Sequence, residues 1–73
     1  MAASGTEFEA LKRIGESGGR IDVRTLARKM GHNTSYMSVI CRSLGKDDYI
    51  DYLASGMCVI TTKGEEEIKL KKG

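Results

Sequence analysis

The chain has 73 residues, 40% of them hydrophobic and 30% charged, with a net charge of +2. A chain of this size makes one domain and buries only about 60% of its unfolded-state surface, so its core must be efficient or a second copy must help. The composition excludes a disordered chain. No apolar run approaches the roughly 20 residues of a membrane span, and Met1-Ala2-Ala3-Ser4-Gly5 lacks the basic flank and apolar stretch of a signal peptide. A cytoplasmic protein with no membrane partner is expected.

In chain order, residues 1–5 read as a flexible N-terminus and 6–72 as one domain. Thr6-Glu7-Phe8-Glu9 has Thr at an N-cap position and Glu three places on, the pattern of a capping box. Phe8, Leu11 and Ile14 then lay an apolar stripe along one helical face, which Gly15 weakens and Gly18-Gly19 ends. The glycine-rich stretch lacks the Lys-Ser/Thr of a phosphate-binding loop, so it reads as a turn. Arg20-Ile21 suits a short strand, and Asp22 can cap the helix that follows.

Val23, Leu26, Ala27 and Met30 keep helical spacing up to Gly31, a residue suited to the left-handed conformation that stops a helix. His32 follows as a half-buried packing residue, and then Asn33, a strong N-cap. The helix of residues 33–46 turns Met37, Ile40, Cys41 and Leu44 inward. Thr34, Ser35, Tyr36, Ser38, Val39 and Arg42 occupy its outer face. Two short helices joined this tightly make a helix-turn-helix, whose second helix is the one that enters a DNA major groove. Small polar side chains near that helix's start permit close approach to phosphate and base edges.

After Gly45 the periodicity changes. Tyr49-Ile50-Asp51-Tyr52-Leu53 and Met57-Cys58-Val59-Ile60-Thr61 flank Ala54-Ser55-Gly56 as a hairpin. Thr62-Lys63-Gly64-Glu65 then reads as a second capping box. It opens a helix with glutamates 65–67 in its first turn and lysines in its last, as the helix dipole favours. Cys41 and Cys58 fall at core positions, where free cysteine acts as a small hydrophobe. With His32 they lack tetrahedral metal spacing, so neither a metal nor a cofactor is expected. One histidine and no nucleophile–base pairing give no foundation for catalysis, and the chain is not expected to be an enzyme.

The order helix, strand, helix, turn, helix, hairpin, helix resembles that of the small winged-helix transcription regulators of bacteria and archaea, in the broad MarR-like and ArsR-like sense. Asp22 to Gly31, with its Leu26-Ala27 pair, resembles the first motif helix of these regulators. Asn33 stands where they cap the recognition helix, and Leu44 to Ile50 resembles the passage from that helix to the wing. Ile60-Thr61-Thr62-Lys63-Gly64-Glu65 is similar to their Thr-x-x-Gly start of a final helix. The resemblance implies an α+β fold: a three-helix core, a two- or three-stranded antiparallel wing and a C-terminal helix.

It further implies double-stranded DNA as the partner, with Ser35, Tyr36, Ser38, Val39 and Arg42 facing bases and phosphates. Arg20, Arg24 and Arg28 would hold the DNA backbone beside Asn33 and Thr34. Residues 20–29 carry four cations against Asp22, a local charge of +3. Three departures stand out. Val39 replaces a long basic or polar side chain, Asp48 replaces a glycine, and the wing tip has no Arg or Lys. The competing function is a protein-interaction module, with Tyr36, Val39 and Tyr49 forming a small apolar patch. Ile68 and Leu70 either seek a second copy, giving a homodimer through the C-terminal helix, or pack on the chain's own first helix.

Overall fold

The computed structural model describes residues 5–72, so all but Gly5 of the expected flexible N-terminus lies outside the described residues. Four helices and three strands follow in order: α1 (Thr6–Glu16), β1 (Arg20–Asp22), α2 (Val23–Met30), α3 (Thr34–Lys46), β2 (Ile50–Tyr52), β3 (Met57–Ile60) and α4 (Thr62–Lys72). The strands form one antiparallel sheet in the order β1-β3-β2. Ile21 stands opposite Cys58 in the first pair, and Tyr52 opposite Cys58 in the second. The short segment before α2 therefore makes the hairpin three-stranded.

The helical stripes read from the sequence converge on a single core, with Phe8 and Met30 only partly buried at its edge. Ala10, Leu11 and Ile14 of α1, Val23, Leu26 and Ala27 of α2, and Met37, Ile40, Cys41 and Leu44 of α3 are buried together with Ile21, Tyr49, Ile50 and Cys58. Fully burying an aliphatic side chain such as Leu11, Ile14, Leu26 or Leu44 stabilises by about 2 kcal/mol relative to leaving it exposed. The hydroxyl of Ser43 on α3 donates to the Glu7 carboxylate on α1 at 2.6 Å, a polar tie beside this apolar contact.

Asp48 ends α3 in the left-handed conformation, at φ 65°. The Asp48 N–H reaches the Gly45 carbonyl at 3.1 Å and the Tyr49 N–H the Leu44 carbonyl at 3.0 Å. These are the two bonds of a Schellman motif, formed here without its usual glycine at a modest cost in backbone strain. The turn sends Tyr49 inward, where it is only 5% exposed, so Tyr49 does not join the surface patch expected for it.

Neither expected capping box forms, and each helix has its N-cap one residue earlier than the pattern suggests. Helix α1 has Gly5 at its N-cap with no side-chain cap. Thr6 is its first helical residue, and Glu9 pairs with Arg13 at 3.9 Å instead of reaching back. Helix α4 is capped by Thr61, not Thr62: the Thr61 hydroxyl accepts the Gly64 N–H at 3.1 Å. That hydroxyl also lies 2.6 Å from the Asp48 carbonyl and 3.0 Å from the Tyr49 carbonyl, to which it donates. Gly64 is required by the same contact, because a β-carbon there would collide with the Tyr49 carbonyl oxygen. The Thr-x-x-Gly pattern is thus a clamp between the end of α3 and the start of α4.

Candidate nucleic-acid interface

Three local devices set α3 at the surface. The Asp22 carboxylate accepts the Arg24 N–H at 3.0 Å and starts α2. Gly31, at φ 72°, stops it, with the Gly31 and His32 N–H groups returning to the Arg28 and Ala27 carbonyls. Asn33 then caps α3, its side-chain oxygen accepting the Tyr36 N–H at 2.7 Å. The junction is only Gly31, His32 and Asn33, so the two helices are held at close quarters across their buried faces.

With Met37, Ile40, Cys41 and Leu44 committed to the core, the opposite side of α3 remains exposed. Ser35, Val39 and Arg42 recur at steps of four and three, and Lys46 continues the row after four more; all four are exposed. That spacing places them along one line on a 3.6-residue helix. Thr34 and Tyr36 flank its start, also exposed. Ser38 is half-buried, held by the Tyr52 hydroxyl of β2 at 3.3 Å. Lys46 and Tyr52 were not among the expected site residues. Continuing the period from Val39 and Arg42 finds Lys46, whereas the Tyr52 contact needs the sheet to be in place.

Arg20, Arg24 and Arg28 are exposed on β1 and α2, with Arg24 and Arg28 one turn apart. Among the described residues neither they nor Arg42 has an ion-pair partner. No ion pair among the described residues neutralises these four charges. His32 departs from expectation. It is exposed rather than half-buried, its ring in a T-shaped contact with the Tyr36 ring at 4.9 Å between centroids. At the tip of the hairpin Ala54 and Ser55 are exposed and carry no charge, and exposed Asp51 on β2 is acidic.

The two cysteines, far apart in sequence, meet beneath this surface. The Cys58 thiol on β3 lies 3.4 Å from the Cys41 sulfur on α3, both buried. The hydrogen bond with Cys58, and then burial, push the Cys41 thiol far above its ordinary range; the same bond lowers Cys58. Among the described residues no group of histidines, cysteines and carboxylates is arranged to hold a metal. No helix of the described chain is long and apolar enough to cross a membrane.

A capped helix-turn-helix joined to a three-stranded antiparallel sheet and a final helix is a winged helix-turn-helix domain. Among solved structures the chain is similar to the reduced form of MarR from E. coli, with a TM-score of 0.82 and 16% sequence identity. The match covers 93% of this chain and 50% of that one, so the chain spans half the length of the MarR structure. The fold is thus MarR-like. No protein-family model matches the chain, and no curated protein matches it in sequence.

Proposed function

We propose that the domain is a DNA-binding transcription regulator that lays α3 in the major groove of a duplex. The observation that carries this reading is the exposed row Ser35, Val39, Arg42 and Lys46, small at its start and cationic at its end, on a helix whose other face is locked in the core. Small side chains let the helix backbone approach the groove floor, and Arg42 is long enough to reach a guanine edge or a phosphate. Arg20, Arg24 and Arg28 would meet phosphates and set register. The neutral wing tip leaves the minor groove without a cationic contact, so specificity falls on α3. A module this small has a modest interface, which favours two copies on two half-sites. Leu70, 77% exposed on α4, is where a second copy would pack.

The competing reading is a protein-interaction module. It is favoured by Tyr36 and Val39, both exposed on α3. Titration with duplex DNA at two salt concentrations, followed by residue-resolved NMR, separates the two. DNA binding by this surface shifts Arg24, Arg28 and Asn33 to Arg42 and weakens steeply as salt rises, because cations displace counterions from the phosphates. In that assay Arg42→Ala weakens binding by about 1–3 kcal/mol if Arg42 reads a base. Absence of shifts at low salt overturns the DNA reading in favour of the adaptor.

A further inference from the structure

Val39 is an anomaly on the face that carries it. It is 57% exposed at the middle of the outward row of α3, between Ser35 and Arg42. From Thr34 to Cys41 the helix has no charged side chain. Hydroxyls are the only polar side chains on that stretch, and Val39 is its only exposed aliphatic group. The floor of a major groove is almost wholly polar. Its base edges present donors and acceptors, and the one apolar group there larger than a C–H is the 5-methyl group of thymine. A valine pressed against any other base edge would strip water from polar groups and return no hydrogen bond.

We propose that Val39 is a specificity-determining residue that packs on a thymine methyl, so that the DNA half-site carries a thymine opposite the middle of α3. The inference rests on the reading of α3 as the groove-binding helix. The side chain is suited to the task. A valine in a helix is held in one strongly preferred rotamer, so its methyls stand at fixed positions and ordering them on binding costs little. Ser35, one turn earlier, is too short to hold the helix away from the bases. Arg42, one turn later, can take the neighbouring guanine edge or phosphate.

A double-mutant cycle between protein and DNA tests it. A duplex is selected by the full chain from a pool randomised over roughly two helical turns, long enough for two half-sites. Each thymine of that duplex is then replaced in turn by deoxyuridine, which deletes only the methyl, and affinity is read by fluorescence anisotropy. One thymine per half-site is expected at which the replacement weakens binding about fourfold, the equivalent of one methyl group returned to water. Val39→Ser, at an exposed position, is expected to bind the thymine and uracil duplexes equally and to match wild type on the uracil duplex. If every thymine can be replaced without loss while salt-dependent binding persists, the Val39 inference is overturned and the DNA reading stands. If the pool shows no salt-dependent binding at all, both fall together.

Discussion

Asn33 and Thr61 start α3 and α4 by the same device, a side-chain oxygen accepting the N–H three residues on, yet the helices reach opposite degrees of enclosure. Helix α3 is packed by α1, α2 and β2 and buries Met37, Ile40, Cys41 and Leu44. Helix α4 packs chiefly on α1. Among its described side chains beyond Gly64 it buries only Glu67, half-covers Ile68 and leaves Leu70 exposed. A cap decides where a helix begins, but neighbours decide which of its faces is available. Because α3 is surrounded on three sides, its outward row is presented in one fixed orientation, which a recognition surface requires. Because α4 is held at its start and along one side, its stability rests heavily on the clamp formed by Thr61, Gly64 and Tyr49.

Substitutions can break or sharpen that contrast. The largest effect is expected from Gly64→Ala, whose β-carbon collides with the Tyr49 carbonyl. Urea unfolding should show a loss of about 3 kcal/mol, the upper range for inserting a methyl where backbone cannot yield. A variant as stable as the parent would mean that α4 is not clamped there. Next come the two caps. Thr61→Val deletes a hydroxyl bonded to Gly64, Asp48 and Tyr49 and should cost about 2 kcal/mol, whereas Asn33→Ala deletes one exposed cap bond and should cost about 1 kcal/mol. Equal losses would erase the distinction between a purely local cap and one tied to distant carbonyls.

One stability effect as small as that of Asn33→Ala has the opposite sign. Glu67 is only 9% exposed, and its Oε2 atom has no hydrogen-bond partner among the described residues. Replacing it with methionine removes a buried polar atom at similar volume. It should raise stability by about 1 kcal/mol, read as a higher urea midpoint with an unchanged slope. A destabilised Glu67→Met variant would show that the carboxylate is engaged and that α4 is tied down at this point as well.

The helix-turn-helix is legible in the sequence because its signals are local. Asp22, Gly31 and Asn33 act on N–H and carbonyl groups within a few residues, and the inward positions of α2 and α3 follow from a 3.6-residue period. The fold class followed from the order of such segments, and the outward face of α3 from subtraction of its apolar one. Where partners are distant, local pattern misplaces residues. Thr62 looked like the cap of α4, but Thr61 takes that role because carbonyls of residues 48 and 49 fix it there. Tyr49 and His32 exchanged their expected environments, since the left-handed turn at Asp48 carries Tyr49 inward and the short junction leaves His32 outside.

The sequence by itself determined which segments are helical, where α2 ends and α3 begins, and which side chains of α3 face away from the core. Those choices depend on backbone groups a few bonds apart. Only the tertiary structure decided that β1 joins the hairpin, that the Cys41 and Cys58 sulfurs meet, that Tyr52 holds Ser38, and that a carboxylate is enclosed at Glu67. Each of these joins residues far apart in the chain, or places one among elements it does not belong to, and its geometry exists only once the helices and sheet have packed around one core.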